Sequence, residues 1–227
     1  MMLQKSHDKV ETMPNKLGYA EKLLEPVEAL KRSEIKKMVD ARTEQFREMR
    51  QQPSSELFKE LCFCILCANF PAERSMKIQN VVGDGFLNLP EKGLAQELRV
   101  LGHRFPNTRA KYIVEARKHK GSLKTIIASF SNKQKLREWL IAEVKGVGPK
   151  EASHFLRNIG YTDFAILDFH IINVLVRNGV IEKPKTLTKR RYLEIEKLLK
   201  YIAQKANLNL AELDLYLWYM ETGKILK

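Results

Sequence analysis

Cysteine is scarce in this sequence. Three cysteines occur among the 227 residues, and all of them, Cys62, Cys64 and Cys67, fall within the apolar run LCFCILCANF. A four-thiolate zinc or iron–sulfur site is excluded because there is no fourth cysteine, and no histidine lies close to the run. The apolar neighbours predict a buried helix in which the cysteines act as small apolar side chains. An odd number of cysteines without a disulfide framework also suits a reducing compartment.

Long apolar runs are also missing. No stretch approaches the roughly 18 apolar residues of a membrane span, and the start, MMLQKSHDKVETM, contains no apolar segment typical of a signal peptide. Hydrophobic residues make up 44% and charged residues 30% of the chain, a composition that excludes collagen-like and wholly disordered proteins. We therefore expect an intracellular protein of the cytoplasm or nucleoid, without a membrane partner.

Acidic residues are too few to balance the basic ones. Against 27 Asp and Glu stand 40 Lys and Arg, which gives a formal charge of +13. An excess of this size is typical of proteins that bind a polyanion, most commonly nucleic acid. Two runs contribute much of it and are expected to face DNA. They contain Arg104, Arg109, Lys111, Arg117, Lys118, Lys120 and Lys124, and then Lys183, Lys185, Lys189, Arg190, Arg191, Lys197, Lys200 and Lys205.

The period-two alternation of half-buried strands is absent, whereas apolar residues recur at intervals of three and four. This pattern predicts an all-α fold. Ser54 and Thr188 are predicted N-caps, Asn209 precedes the last helix, and Gly179 and Gly223 stand where a left-handed residue ends a helix. The predicted helices lie near 20–31, 33–51, 54–68, 72–82, 91–101, 106–118, 122–129, 132–144, 149–159, 169–178, 188–206 and 210–222.

The most informative stretch runs from 136 to 172, LREWLIAEVKGVGPKEASHFLRNIGYTDFAILDFHII. Two amphipathic helices are separated by a short turn in which Gly146 and Gly148 surround Val147. The glycines allow a tight turn and a close approach to another molecule, and Val147 can fill the space between the helices. Pro149 suits the first helical position, because its missing N–H costs nothing there. The N–H groups of that helix start predict a binding site for a DNA phosphate, with a purely structural corner as the alternative.

Lys150 and Asp168 are the candidate chemical groups. A cation in the first helical turn opposes the helix dipole, so the position of Lys150 favours the free amine that a nucleophilic lysine needs. Eighteen residues later, Asp168 begins the next helix and is a predicted N-cap. Its carboxylate could also lie next to Lys150 and stabilise positive charge that develops on a sugar. The two roles of Asp168 are compatible, because capping fixes the side chain in place.

This combination resembles the helix-hairpin-helix superfamily of DNA glycosylases. Within it, the sequence is similar to the archaeal-type 8-oxoguanine DNA glycosylase/AP lyase subfamily, the second Ogg group. The resemblance extends over nearly the whole chain and includes LGHRFPNTRAKYIVEAR at 101–117, KEASHFLRNIGY at 150–161 and LYLWYMETGKILK at 215–227. One position departs from the family pattern, because Phe169 stands where an arginine is expected.

The resemblance implies a role for each matching residue. Lys150 would attack the sugar C1′ and form a Schiff base, and Asp168 would assist it and stabilise oxocarbenium character. Phe105 and Trp218 would sandwich an extruded purine, with packing against the protein as the alternative for each. Lys227 would help to recognise the oxidised base through its terminal carboxylate. The hairpin of Gly146, Val147 and Gly148 would hold a DNA phosphate, in some cases through a monovalent cation.

The resemblance also implies a two-lobed helical architecture with the active site in the cleft between the lobes. We expect a central lobe at 52–164 that contains the hairpin, and a second lobe in which residues 1–51 pack with residues 165–227. The expected partner is double-stranded DNA containing 8-oxoguanine, and the expected state is a monomer. No cofactor or catalytic metal is expected, and His154 and His170 are assigned structural or DNA-surface roles.

Two alternatives remain at this point. One is a glycosylase of the same chemistry that acts on another oxidised base. The other is a non-enzymatic helix-hairpin-helix module that binds DNA only. Lys150 and Asp168 argue against the second alternative, because phosphate binding alone requires neither residue.

Overall fold

The computed structural model describes residue 18 and residues 21–227, and the regular elements in this part of the chain are all helical. Two short 3-10 turns, Glu21–Leu23 and Arg117–His119, accompany the α-helices. The α-helices are α1 Leu24–Lys31, α2 Ile35–Gln51, α3 Ser54–Leu66, α4 Ala72–Val82, α5 Gly85–Asn88, α6 Glu91–Val100, α7 Pro106–Ala116, α8 Leu123–Ser129, α9 Lys133–Glu143, α10 Pro149–Asn158, α11 Phe169–Arg177, α12 Lys189–Lys205 and α13 Leu210–Thr222.

The predicted all-α fold is confirmed. The predicted helices correspond to those observed within a few residues, except that the start of the first, at residue 20, lies outside the described residues. The short helix α5 was not predicted, because four residues do not give a helical period. None of the helices among the described residues is both long and apolar enough to cross a bilayer.

In the part of the chain that the structure describes, side chains cap four helices, at Asn132, Asp168, Thr188 and Asn209. Thr188 accepts a hydrogen bond from the Arg191 amide at 3.2 Å, and Asn209 and Glu212 bond reciprocally to each other's backbone N–H. The prediction for Ser54 was wrong. Pro53 is the N-cap of α3 and Ser54 its first helical residue, because proline in extended conformation already ends the preceding segment and allows the helix to start at once.

The left-handed glycines are confirmed. Gly179 has φ 69° and Gly223 has φ 67°, and Gly223 is the C-cap of α13. The chain after Gly223 therefore leaves the helix and turns back, and Ile225 is buried in this short tail. The tail brings Lys227 to the wall of the cavity described below.

Among the described residues, the buried apolar side chains form two clusters. The first draws on residues 57–164 and includes the three free cysteines, which confirms the predicted buried helix α3. The second draws on residues 23–46 and 165–225. Cluster membership changes between Phe164 and Ala165, and the predicted boundary there and the division into two lobes stay predictions.

Candidate active site

The turn between α9 and α10 has the predicted hairpin geometry. Gly146 adopts φ 81°, and a Cβ at this position would lie 2.3 Å from the Tyr112 ring, so only glycine fits. Val147 is 5% exposed and belongs to the first apolar cluster. Pro149 is the first residue of α10. The turn therefore places the N-terminus of α10, with Lys150 in its first turn, at the surface of a cavity.

One amide of this turn is already engaged. The Gly148 N–H donates to Glu151 Oε2 at 3.1 Å. A carboxylate at the third position of a helix commonly bonds back to the N-cap amide in this way. A phosphate that binds the Gly148 amide would have to displace Glu151, so the role of Gly146, Val147 and Gly148 in phosphate binding stays a prediction.

The cavity has a volume of about 770 Å³, in the range of small-molecule sites. It brings together four of the predicted residues, Lys150, Asp168, Trp218 and Lys227. The other residues that line it are Cys67, Asn69, Phe70, Pro71, Ala72, Glu73, Arg104, Glu151, His154, Arg157, Ile166, Leu167, Phe169, His170, Asp214, Thr222, Lys224 and Leu226.

Asp168 is held by its own helix. Its Oδ1 accepts a hydrogen bond from the Ile171 N–H at 2.9 Å, which confirms the predicted N-cap of α11. Burial raises the pKa of the Asp168 carboxyl, while this hydrogen bond and the charge of Lys150 act in the opposite direction. The raised pKa makes Asp168 a better proton acceptor than an exposed aspartate.

Lys150 lies in the same cavity wall. Its side chain is 21% exposed, and its Nζ is 3.9 Å from Glu151 Oε1. Among the described residues, Lys150 and Asp168 form no ion pair within 4.0 Å, yet the charge of Lys150 acts on the pKa of Asp168. The amine is therefore free of a close carboxylate from Asp168 and open to the cavity from one side.

A buried aspartate, which the sequence analysis missed, also lines the cavity. Asp214 of α13 is 7% exposed and forms an ion pair with Arg157 of α10. Burial raises the pKa of Asp214 to about 6, against the charge of Arg157, and Asp168 adds to the increase. The available signal was a charged residue on an apolar helix, in LAELDLYLWYM, since a buried charge of this kind is usually paired.

The side chain of Lys227 is also bound. Its Nζ donates to Glu60 Oε2 at 2.7 Å and to Gln79 Oε1 at 2.6 Å, and it lies 4.5 Å from the centroid of the Phe63 ring. The sequence analysis assigned both Lys227 and Trp218 to an extruded base, and both residues line the cavity. It missed Glu60, although a glutamate beside the apolar cysteine run is the signal of a buried polar contact. Recognition of a base by the terminal carboxylate stays a prediction.

Aromatic rings form one edge of the cavity. The Trp218 and His170 rings meet edge to face with centroids 4.5 Å apart, and Phe169 lies 3.7 Å from His170. Phe169 is 67% exposed. The Trp218 Nε1 is buried without a hydrogen-bond partner in the described part of the chain. This edge offers flat apolar surfaces to a planar ligand.

Phe105 does not lie at this edge. The cavity lining includes Arg104 but not Phe105. Phe105 is instead the N-cap residue of α7, its amide donates to His103 Nδ1 at 3.0 Å, and the guanidinium groups of Arg104 and Arg109 lie near its ring. Phe105 and Trp218 therefore do not line the same cavity, and the sandwich of an extruded purine between their rings stays a prediction.

His154 is buried in the wall of the cavity and is not on the protein surface. It is 5% exposed, lines the cavity, and its Nδ1 has no partner among the described residues. Burial holds the pKa of His154 well below its usual value, and the charges of Arg157 and Lys150 lower it further. His154 is thus a neutral imidazole at neutral pH. In the described residues, no three His, Cys, Asp or Glu side chains are grouped to hold a metal ion.

The first basic run has both structural and exposed members. The buried Arg109 corrects the prediction at its own position, whereas the exposed Arg104, Lys111, Lys118, Lys120 and Lys124 keep a DNA-facing role as a prediction. Arg109 is buried and donates to the Ala68 carbonyl. Arg117 donates to the Phe86 and Gly85 carbonyls at 2.8 and 3.2 Å, and Lys120 donates to the Leu87 carbonyl at 3.0 Å. These cations bond backbone oxygens near helix ends, and the Gly85 oxygen also accepts the Leu89 amide at 3.0 Å. The second run is more exposed, with the Arg190 side chain 91% accessible.

The helical fold, the hairpin, the lysine at the start of α10 and the aspartate that caps α11 together define a DNA glycosylase of the helix-hairpin-helix class. The family model described as 8-oxoguanine DNA glycosylase matches residues 39–208. The 8-oxoguanine DNA glycosylase/AP lyase of Methanocaldococcus jannaschii is 52% identical over 206 residues, which cover 90% of this chain and 99% of that protein. Its counterpart in Korarchaeum cryptofilum is 50% identical over 206 residues, which cover 90% and 98%.

Solved structures agree with these relatives. The crystal structure of the M. jannaschii 8-oxoguanine glycosylase/lyase in complex with a 15mer DNA containing 8-oxoguanine has a TM-score of 0.88, at 52% identity, and covers 90% of this chain and 99% of that chain. The 8-oxoguanine DNA glycosylase of Thermotoga maritima has a TM-score of 0.86, at 42% identity, and covers 92% and 100%. The chain therefore belongs to the 8-oxoguanine DNA glycosylase family, as the sequence resemblance predicted.

Proposed function

We propose that this protein is a bifunctional DNA repair enzyme that excises 8-oxoguanine from double-stranded DNA and then cleaves the strand at the abasic site. The observation that carries the proposal is the single cavity that holds Lys150, Asp168, Trp218 and Lys227. Family membership supports the same activity. A base within a duplex must leave the stack before its glycosidic bond can be reached, and a cavity of about 770 Å³ has room for a purine.

Base excision would begin at Lys150. Its free amine attacks the sugar C1′, the bond from C1′ to the base breaks, and the base leaves with the bonding electron pair and takes up a proton. Asp168 stabilises the positive charge that develops on the sugar and accepts the proton that the attacking amine loses. The raised pKa of Asp168 suits it to accept that proton.

Strand cleavage would follow from the same covalent bond. Opening of the sugar ring converts the C1′ adduct into a protonated Schiff base with Lys150. Loss of a proton from C2′ then expels the 3′ phosphate by β-elimination, and water hydrolyses the Schiff base to release the lysine. No redox change takes place in this sequence of steps.

DNA would approach over the second basic run and the hairpin. The side chains of Lys189 and Arg190 are 70% and 91% exposed and can neutralise phosphates. A monovalent cation at the hairpin remains part of the proposal. The carbonyls of Val144 and Gly148 each accept one backbone hydrogen bond, and each keeps a second lone pair for a cation. We further propose an intracellular protein that acts as a monomer, since one chain contains the whole cavity.

Borohydride trapping tests the proposal. Borohydride reduces a Schiff base to a stable amine, so the wild-type protein should form a covalent complex with a duplex that contains 8-oxoguanine. Lys150→Gln should lose both trapping and excision while it still binds DNA. Lys133→Gln is a matched control, because Lys133 is an exposed lysine paired with Asp163 outside the cavity. Trapping of Lys150→Gln at the wild-type level would overturn the assignment of Lys150.

Substrate choice needs a separate comparison. Duplexes that contain 8-oxoguanine, an oxidised pyrimidine or unmodified guanine should be cleaved with a clear preference for the first. Faster cleavage of the oxidised pyrimidine would support the alternative lesion and overturn 8-oxoguanine as the principal substrate.

A further inference from the structure

A buried chain of polar groups runs behind the cavity. Its centre is Glu60 of α3, which is 2% exposed and lies next to the apolar cysteine run. Its carboxylate accepts three hydrogen bonds, from Lys227 Nζ at 2.7 Å, Asn158 Nδ2 at 2.6 Å and Gln79 Nε2 at 3.2 Å. A buried carboxylate is costly unless donors surround it, and Glu60 has found donors from three separate segments.

One end of this chain is the Lys227 ammonium. Besides Glu60 it bonds to Gln79 Oε1 at 2.6 Å, and its third side faces the Phe63 ring at 4.5 Å. The ammonium is therefore bound to Glu60 and Gln79, which do not line the cavity, although Lys227 itself belongs to the cavity lining. The side chain acts as a tether that fixes where the rest of Lys227 lies.

The other end of this chain of polar groups is Asp214. Asn158 Oδ1 accepts from Arg157 Nε at 3.0 Å and from Arg157 Nη2 at 2.9 Å. Arg157 in turn pairs with Asp214, and both residues line the cavity. A continuous series of hydrogen bonds thus connects Lys227 with the Asp214 carboxylate, and these two residues lie at different parts of the cavity lining.

We propose that Glu60 is a positioning residue for base recognition, which acts with Gln79 by holding the ammonium of Lys227. The inference rests on the proposed function and names residues that do not touch the substrate. A buried ion pair often stabilises a fold no more than apolar residues of the same size would. It does, however, hold its two charged groups in one relative position. An error of about 1 Å in a positioned group can cost a factor of about 100 in rate.

The test separates recognition of the base from strand cleavage. An abasic site has no base, so its cleavage reports Lys150 chemistry alone. Glu60→Gln and Lys227→Met should each slow 8-oxoguanine excision about tenfold or more, and should leave cleavage of a preformed abasic site within about twofold. The double variant should be about as slow as the slower single variant instead of about a hundredfold slower, because both changes remove the same interaction.

Glu196→Gln is the matched control. Glu196 forms a buried ion pair with Arg137 outside the cavity, so its loss should lower the melting temperature but leave the ratio of excision to abasic cleavage unchanged. If Glu60→Gln does not fold, Gln79→Leu removes one hydrogen-bond acceptor of the Lys227 ammonium and should shift the same ratio in the same direction.

The outcomes distinguish the two proposals. If the wild-type protein neither excises 8-oxoguanine nor cleaves abasic DNA, the proposed function is wrong. If the wild-type protein does both, and Glu60→Gln lowers both rates by the same factor or the two single effects multiply in the double variant, the positioning role is overturned and the proposed function stands.

Discussion

Two buried arginines, Arg137 and Arg157, show how the same side chain serves two regions of this molecule. Arg137 of α9 is 2% exposed, forms a two-pronged pair with Glu196 at 2.6 and 2.8 Å, and lies 4.5 Å from the Phe164 ring. Arg157 of α10 is 4% exposed and pairs with Asp214. Both guanidinium groups are desolvated, and both reach across to an acid on a helix of the second apolar cluster.

The difference lies in the surroundings of the two acids. Glu196 does not line the cavity, and it also accepts the Ala165 amide at 2.9 Å, so it joins α9 and α12 at the junction of the two clusters. Asp214 lies in the cavity wall, and burial raises its pKa to about 6 despite its arginine. The carboxylate of the first pair has its hydrogen bonds made, whereas the second pair leaves a carboxylate with a raised pKa close to Asp168. Carboxylates with a strongly shifted pKa are typical of functional sites.

Removal of Arg137 should have the largest effect. Arg137→Met leaves Glu196 buried without its counter-charge, and we expect the free energy of unfolding to fall by about 3–5 kcal/mol. Urea denaturation monitored by tryptophan fluorescence measures this loss. Cleavage of abasic DNA, expressed per folded molecule, should stay at the wild-type level because neither residue lines the cavity.

The double variant Arg137→Met with Glu196→Leu is the control for this prediction. It removes both charges and should recover much of the lost stability, since apolar residues often replace a buried ion pair at little cost. A double variant that is less stable than the single variant would contradict this expectation. It would show that the Glu196 carboxylate stabilises the fold even without Arg137.

Removal of the Asp168 charge should affect the rate instead of the fold. Asp168→Asn keeps a side-chain oxygen for the Ile171 amide but cannot stabilise a cationic sugar. We expect excision to slow about 100-fold, which corresponds to roughly 2.7 kcal/mol of activation free energy, with little change in melting temperature. Single-turnover excision measures the rate. Full specific activity in an unstable Asp168→Asn protein would instead assign Asp168 a capping role alone.

The sequence predicted those features of the site that depend on neighbours along the chain. The hairpin, the cap at Asp168 and the end of the last helix at Gly223 each follow from a few adjacent residues, and each is confirmed. The Ser54 cap was wrong because Pro53 supplies an equivalent start for the helix. Local chemistry thus identifies Lys150 and Asp168 but not the groups that surround them.

Long-range polar pairs escaped prediction. Glu60 meets Asn158 and Lys227 across 98 and 167 residues of sequence, and helical periodicity carries no information about such partners. The same limit applies to Arg109, whose contact with the Ala68 carbonyl converts a predicted DNA-facing cation into a structural one. A charged residue on an apolar helix face reveals that a partner exists, whereas only the fold reveals which partner it is.

Asp214 should make stability depend on pH, which sharpens the contrast with Glu196. Its folded pKa, about 6, lies above the ordinary value of 3.8, so the folded state binds the proton more tightly than the unfolded state. The contribution of Asp214 to stability is therefore greatest below about pH 4 and is lost as the pH rises towards 6, by about 2 kcal/mol. Asp214→Asn should abolish this part of the pH dependence. Parallel curves for the two proteins between pH 4 and 6 would contradict the expectation.

The smallest expected effect concerns Phe169, at the exposed rim of the region that contains Arg157. The sequence resemblance led us to expect an arginine at this position, and Phe169 instead exposes 67% of its surface beside His170. Phe169→Arg adds a cation at the cavity edge and should steepen the dependence of log K on log salt by about 0.9 if it reaches a phosphate. Fluorescence anisotropy with a labelled duplex at several salt concentrations measures the slope.

Met38→Arg, at another exposed apolar side chain and outside the cavity lining, controls for the added charge. An equal change of slope in both variants would show that net charge is responsible, whereas a change confined to Phe169→Arg would place the rim of the cavity against the DNA backbone.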